Sequence, residues 1–209
     1  MEKISNEKRT EILEAAVKLF SERGFEKTTV DEIATKANVG KGTIYLYFQN
    51  KEDIFLGVLE EGMAKLLDIF EKIIQSGNFT QQLYDMIYSQ FKFIEDNQEF
   101  YKIHLKEQVN LELKICDDAD NSLAQLHRRL YELITNFIRK GIEEGYIRPG
   151  PPESYVAAIA GIVSHTAFHW LIRGGDSSLI SKTDVVLNIF LNGVQNPNFK
   201  VSGGVSNVS

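Results

Sequence analysis

The chain has 209 residues, 43% of them hydrophobic, and a formal net charge of −6 at pH 7. This apolar content excludes a disordered chain and suffices for one sizeable core or two modest ones. Its single cysteine, Cys116, excludes an internal disulfide framework and is interpreted as apolar filler. Because the sequence shows no apolar run of signal-peptide type and no stretch approaching about 18 uncharged apolar residues, we expect a cytoplasmic protein with no membrane partner.

The charge is distributed unevenly along the chain. Residues 1–51 contain 9 basic and 8 acidic side chains, and the rest contains 14 basic and 21 acidic ones. Between Ile33 and Lys51 there is no aspartate or glutamate, although three lysines fall there. Since nucleic-acid binding depends on the charge of one face, the acidic total does not exclude DNA as a partner.

Three short helices are predicted at the start of the chain. Apolar residues in "TEILEAAVKLF" recur at helical spacing, and Gly24 follows as a stop. A second helix is predicted in "TTVDEIATKANV", because Thr29 and Glu32 have capping-box spacing. A third helix fits between Gly40 and Phe48. Together they predict a small three-helix module.

The third helix has a face rich in hydrogen-bonding groups. If Ile44 and Phe48 pack inward, the opposite face and its flanks point outward. They carry Lys41, Gly42, Thr43, Tyr45, Leu46 and Tyr47. A glycine permits close backbone approach, and lysine and hydroxyl groups can contact phosphates and base edges. Asn50 can cap a fourth helix at Lys51, where free backbone N–H groups favour an anion.

Two interpretations of this face follow from the residues alone. The tyrosines could pack the three-helix core, with Lys41 and Lys51 as ordinary solvated lysines. Alternatively, the unit from Thr29 to Phe48 has the short turn of a helix-turn-helix, whose second helix reads a DNA groove.

The run "ILEAAVKLFSERGFEKTTVDEIATKANVGKGTIYLYFQNKEDIF" closely resembles the tetracycline-repressor (TetR) family of transcriptional regulators. The similarity extends from Lys8 to Leu59 without a gap. It implies that Lys51 contacts a phosphate. It also implies DNA contacts at Thr29, Lys41, Thr43, Tyr45 and Tyr47.

A larger helical domain is predicted after Lys51, joined to the first by a continuous helix. Later helices are predicted at 80–96, 97–108, 120–145, 152–173 and 182–194. The expected fold is all-α, with a helix-turn-helix DNA-binding domain at 1–51 and a ligand-binding and dimerisation domain at 52–195. The tail 196–209 is predicted to be disordered.

The last two long helices are candidates for a dimer contact. "PPESYVAAIAGIVSHTAFHWLI" contains small residues that permit close helix approach, and "TDVVLNIFLNGV" is amphipathic. Two such helices per chain could form a four-helix bundle across a two-fold axis. Alternatively, both helices could close the core of the monomer, and periodicity alone gives the two interpretations equal weight. The family resemblance favours the homodimer.

No pattern in the chain indicates catalysis or a metal. His165 and His169 have i, i+4 spacing, but without a converging third ligand they are interpreted as polar groups of a pocket wall or dimer contact. No nucleophile or acid–base arrangement is recognisable. We predict no cofactor, no metal and no catalytic residue, with a helical enzyme as a weak alternative.

Aromatic residues are concentrated between Tyr84 and His104. Tyrosine hydroxyls need partners when buried, whereas a ligand cavity combines apolar walls with a few polar points. We therefore predict a repressor that binds a palindromic operator and is released by a largely apolar or aromatic small molecule. The candidate effector contacts are Tyr88, Phe91, His104, His165 and His169. The alternatives are a constitutive DNA-binding dimer without effector and a dimer that has lost DNA binding.

Overall fold

The computed structural model describes residues 2–105, 122–175 and 177–192, with side chains from residue 7 onward. All regular elements in these ranges are helical, which confirms the all-α prediction. The helices are α1 (Glu2–Arg23), α2 (Val30–Lys36), α3 (Lys41–Ile44), α4 (Lys51–Ile73), α5 (Phe79–Asp96), α6 (98–105), α7 (Ser122–Glu143), α8 (Pro152–Ile172), a 3-10 turn (Ile180–Lys182) and α9 (Thr183–Asn192). Cys116, the predicted tail and the predicted end of helix 97–108 lie outside the described residues.

Local capping interactions fix the start of α2. The Thr29 hydroxyl accepts a hydrogen bond from the Glu32 amide at 3.3 Å, and the Glu32 carboxylate accepts one from the Thr29 amide at 2.9 Å. The predicted capping box is thereby confirmed. The buried Thr28 hydroxyl donates to the Gly24 carbonyl at 2.9 Å. These bonds tie the start of α2 to the end of α1.

The third helix is shorter than predicted. Regular α-helix ends at Ile44, and a turn continues through Tyr47. The amides of Leu46 and Tyr47 bond to carbonyls three residues back, at 3.2 and 2.9 Å, which is the tighter 3-10 pattern. Ile44 and Phe48 are buried as predicted, so the inward face is retained.

Two hydrophobic cores share helix α4. The first core packs α1 to α3 against the start of α4, and it includes Ile103 of α6 and Leu123 of α7. The second core packs the end of α4 with α5, α7, α8 and α9 around residues such as Phe70 and Phe91. The predicted continuous joining helix is confirmed, since α4 runs unbroken from Lys51 to Ile73.

Helix α8 buries one side and exposes the other. Val156, Ile159 and Val163 lie in the second core, whereas Phe168 and Ile172 are exposed. Within the described ranges, α8 is the one helix long and apolar enough to cross a membrane by length and composition. Core helices of soluble proteins share this length and composition.

A carboxylate on α5 fixes the connection between α8 and α9. The Glu95 carboxylate accepts hydrogen bonds from the amides of Leu179 at 2.7 Å and Ile180 at 3.2 Å. The Ser178 hydroxyl donates to the same oxygen at 3.3 Å. Leu179 is fully buried, so these hydrogen bonds to Glu95 hold the turn before α9 against the second core.

Candidate nucleic-acid interface and internal cavities

The outward face of α3 presents apolar and polar groups side by side. Leu46 is 81% exposed and Tyr45 is 50% exposed, although both are large side chains. Lys41 and Gly42 are also exposed, and Thr43 and Tyr47 are half-buried. The structure therefore brings the predicted reading residues together on one short segment. Such a set can offer donors to phosphates and an apolar tip to a thymine methyl group.

Lys41 is held by an exposed carboxylate on α2. Its Nζ lies 2.8 Å from an Asp31 carboxylate oxygen, and both side chains are more than half exposed. The hydrogen bond from Lys41 to Asp31, and then the charge of Asp31, raise the pKa of Lys41. Because exposed ion pairs contribute little net free energy, a phosphate can replace this carboxylate at small cost.

Lys51 has a structural role in addition to its predicted phosphate contact. Its Nζ donates to the Phe25 carbonyl at 2.9 Å and lies 4.2 Å from the centroid of the Phe25 ring. The Phe25 ring in turn packs edge-on against Phe55, with centroids 5.1 Å apart. Lys51 thus joins the turn after α1 to the start of α4. The sequence did not reveal this contact, because its partners are 26 residues apart.

The hydroxyl of Thr29 already has partners within the protein. Besides capping α2, it donates to the Glu32 carboxylate at 2.9 Å. Glu32 also pairs with Arg23 at 2.9 Å. The hydrogen bonds from the Thr29 backbone and then its side chain, followed by the Arg23 charge, lower the pKa of Glu32. Any contact of Thr29 with DNA is therefore made by a group oriented by the capping box.

Asn50 and α4 form a capped helix start beside the α3 face. The Asn50 side chain accepts a hydrogen bond from the Asp53 amide at 2.7 Å, as predicted. The Asp53 carboxylate accepts from the Gln49 amide at 2.9 Å. These two bonds fix the chain between α3 and α4 and hence the position of the α3 face relative to α4.

Two cavities lie among the central helices. The first, of about 200 Å³, is bounded by α4, α5, α7 and α8, with Met86, Ile134 and Val163 in its walls. The second, of about 240 Å³, is bounded by α4 to α7, with Phe93 and Phe100 in its walls. Four residues line both cavities: Leu66, Gln90, His127 and Leu130.

The predicted effector residues of α5 and α6 occupy different positions. His104 lines the second cavity. Tyr88 is half-buried and stacks on Tyr84 with centroids 6.2 Å apart, and Phe91 is fully buried in the second core. Neither Tyr88 nor Phe91 is among the residues that line the two cavities.

Tyr101, Gln90 and His127 were not singled out as cavity contacts by the sequence. Burial raises the pKa of Tyr101 to about 12, and its hydroxyl donates to the Ser164 carbonyl at 3.2 Å. Gln90 lies on α5 and His127 on α7, and both line the two cavities, which no local sequence pattern encodes.

His165 and His169 lie on the exposed side of α8, apart from the two cavities. They border an open groove with Arg173 and Lys182. The Arg173 Nε donates to the His169 Nε2 at 3.1 Å. In the described part of the chain, no group of three or more His, Cys, Asp or Glu could hold a metal ion.

Comparison with known proteins identifies the class. The family model described as bacterial regulatory proteins, tetR family, matches residues 12–58. The model described as tetracyclin repressor-like, C-terminal domain, matches residues 76–194, which is more than half of the chain. The chain is thus a DNA-binding transcriptional regulator. It belongs to the TetR family, as the resemblance of its first helices implied.

Several relatives align with most of the chain. It is 31% identical over 163 residues to the uncharacterized HTH-type transcriptional regulator YhgD of Bacillus subtilis, covering 76% of this chain and 82% of that protein. It is 26% identical over 190 residues to the fatty acid metabolism regulator protein of the same organism, covering 89% and 95%. The HTH-type transcriptional repressor KstR2 of Rhodococcus jostii is 25% identical over 191 residues, covering 91% and 92%. These relatives are regulators, not enzymes.

Solved structures share the fold. The fatty acid degradation regulator FadR from Bacillus halodurans has a TM-score of 0.81 at 24% identity, with 90% of this chain and 96% of that chain covered. FadR from Bacillus subtilis, in complex with stearoyl-CoA, has a TM-score of 0.75 at 24% identity, with 89% and 99% covered.

Proposed function

We propose that this protein is a cytoplasmic homodimeric repressor, which binds an inverted-repeat operator through α3 and leaves it when an apolar effector fills the internal cavities. The observation that carries this proposal is the continuity of the two sites. Leu59 and Leu123 are buried in the first core, which supports α3, and the same two residues line the second cavity. A ligand in that cavity therefore touches the core of the DNA-binding domain directly.

On the DNA side, the roles differ among the residues of the α3 face. Tyr45, Leu46 and Gly42 are exposed and fit contacts inside the major groove. Lys41 fits a phosphate contact made by exchange of its Asp31 partner. Since a helix-turn-helix dimer places its two reading helices one DNA turn apart, we expect half-sites separated by about 34 Å or a multiple of it.

The proposed dimer uses the exposed sides of α8 and α9. Phe168 and Ile172 on α8 and Val185 and Ile189 on α9 are exposed apolar side chains. Space is open around Gly161, where an added Cβ has no neighbour within 4 Å. Exposed apolar side chains on two helices, one of which also exposes a glycine, suit close packing against a second copy about a two-fold axis. TetR-family regulators are typically dimers, which supports this assignment.

The proposed effector is a molecule with long apolar parts, such as a fatty acyl thioester. Both cavities are lined mainly by apolar side chains. FadR from Bacillus subtilis, which shares the fold, is described in complex with stearoyl-CoA, and the fatty acid metabolism regulator protein of that organism aligns with 89% of this chain. Taken together, the two cavities reach the volume of ordinary ligand sites, about 300–1,000 Å³.

Coupling between the sites runs through α4 and α6. The Phe100 ring packs so closely on Gly62 of α4 that an added Cβ at Gly62 would overlap it. A ligand that displaces Phe100 therefore also releases a close contact on α4. The ligand can weaken DNA binding only through its different affinities for the two arrangements, so a tenfold effect requires about 1.4 kcal/mol.

The DNA-binding part of the proposal is tested by selecting operator fragments from genomic DNA with the full-length protein and footprinting the bound site. We expect protection of an inverted repeat with salt-dependent affinity. The variant with Lys41→Ala and Tyr45→Ala should lose this footprint. Lys72→Ala, which removes an exposed lysine of α4 paired with Asp68, is the control and should retain it. A wild-type footprint from the Lys41, Tyr45 variant would show that α3 does not read the DNA.

A further inference from the structure

Two polar side chains line both cavities, and the set of residues shared by the two cavities is called the junction. Gln90 of α5 and His127 of α7 each line both cavities, together with Leu66 and Leu130. Among the described residues, the side chains of Gln90 and His127 form no hydrogen bond or ion pair. An amide and an imidazole thus lie at the junction of two apolar cavities without protein partners.

The sizes of the cavities indicate that a ligand within them spans this junction. At about 200 and 240 Å³, each cavity alone is smaller than an ordinary ligand site, whose volume begins near 300 Å³. An occupant of ordinary size that stays within these cavities extends through both. Its middle part then lies beside Gln90 and His127, and its two ends lie against apolar walls.

An entirely apolar middle part would fit this junction poorly. Covering Gln90 and His127 with hydrocarbon removes water from their polar groups and returns no hydrogen bond, which lowers affinity. A site built to bond a polar group discriminates against analogues that lack it, for the same reason. Since the amide and a neutral imidazole can each donate and accept, a hydroxyl or a carbonyl group would suit both.

We propose that the effector of this regulator carries an internal polar group flanked by two apolar arms, and that Gln90 and His127 bind this group. This inference rests on the proposed effector function and specifies the ligand's chemistry. The ligand is an acyl compound whose chain also carries a hydroxyl, keto or ester group near its middle, and it binds more tightly than the same chain without that group. His127 also borders a surface groove with Arg128 and Tyr131, so the junction reaches solvent at α7.

Two isomeric alcohols test this assignment by isothermal titration calorimetry on the full-length protein. One is a twelve-carbon alcohol with its hydroxyl at the middle of the chain, and the other is the primary twelve-carbon alcohol. They have the same formula and nearly the same apolar area. We expect the wild-type protein to bind the mid-chain isomer about three- to tenfold more tightly, as for one or two net hydrogen bonds.

Variants at the junction should remove the discrimination. Gln90→Leu and His127→Leu replace a polar group with an apolar side chain of similar size. Each should reduce the ratio of the affinities for the two isomers towards one. His127 is exposed, so its replacement disturbs the core less than that of Gln90. Gln81→Leu, at the exposed start of α5, is the control for Gln90→Leu and should keep the wild-type preference.

The outcomes separate this inference from the proposed function. Equal or weaker binding of the mid-chain isomer by the wild type would overturn the inference, as would a preference that persists in both junction variants. If stearoyl-CoA binds and releases the operator but neither alcohol binds, the inference fails and the proposed function stands. If no apolar ligand binds at all, both fail.

Discussion

Replacing Lys51 should affect both the stability of the DNA-binding domain and its affinity for DNA, whereas replacing Lys41 should affect affinity alone. Lys51 donates to the Phe25 carbonyl at 2.9 Å and lies 4.2 Å from the Phe25 ring centroid. Lys41 forms an exposed ion pair with Asp31. We therefore expect Lys51 to stabilise the domain and to contact DNA, and Lys41 to contact DNA alone.

The magnitude for Lys51→Ala follows from these contacts. A cation–π contact contributes about 0.5–2 kcal/mol, and a hydrogen bond from a charged donor about 1.5–3 kcal/mol when it is shielded from water. Because Lys51 is only half-buried, we expect a loss near the lower end, about 1–2 kcal/mol in the free energy of unfolding. Lys41→Ala should leave the free energy of unfolding nearly unchanged, as is usual for an exposed pair.

The assay combines urea unfolding with fluorescence anisotropy of a labelled operator. Lys51→Met keeps the apolar stem over the Phe25 ring but removes the charge. It should regain part of the lost stability while its operator affinity stays low. Unfolding of Lys51→Ala at the wild-type urea midpoint would refute the structural role of this lysine. Wild-type operator affinity of Lys51→Met would refute its phosphate contact.

Three further predictions concern the α2–α3 ion pair, the dimer and the ionisation of a buried phenol. Asp31→Asn should raise operator affinity about two- to fivefold in anisotropy titrations, because Lys41 no longer exchanges a carboxylate for a phosphate; unchanged or weaker binding would contradict this. Gly161→Arg should convert the dimer to monomers in sedimentation velocity, whereas Lys72→Ala should leave it intact; a dimeric Gly161→Arg protein would exclude this face. Burial raises the pKa of Tyr101 to about 12, so its contribution to stability is complete below pH 10 and is lost as the pH rises to about 12. Tyr101→Phe should therefore show a smaller alkaline loss of stability in urea titrations between these pH values, and an identical loss would contradict the assignment.

Features encoded by nearby residues could be predicted from the sequence. The capping box of Thr29 and Glu32, the inward pair of Ile44 and Phe48, and the continuous α4 all depend on spacing within one or two turns. The predicted length of α3 was wrong. The change to 3-10 hydrogen bonds after Ile44 leaves the apolar spacing unchanged, so the sequence pattern does not reveal it.

Features that depend on packing between distant segments could not be predicted. The contact of Lys51 with the Phe25 carbonyl requires α4 to lie against the turn after α1. Gln90 and His127 line the same two cavities only because the tertiary fold places α5 and α7 around them. An aromatic-rich stretch indicated a ligand site among the central helices. It could not separate His104, which lines a cavity, from Phe91, which is buried in the core.

The most direct test of the account is a titration of the protein–operator complex with stearoyl-CoA, followed by fluorescence anisotropy, with coenzyme A alone as the control. The account predicts that stearoyl-CoA releases the operator, and that coenzyme A leaves the complex intact because it lacks the apolar chain that fills the cavities. An operator complex that persists while calorimetry shows stearoyl-CoA bound to the protein would contradict coupling between the cavities and α3. Equal release by coenzyme A alone would contradict the apolar site.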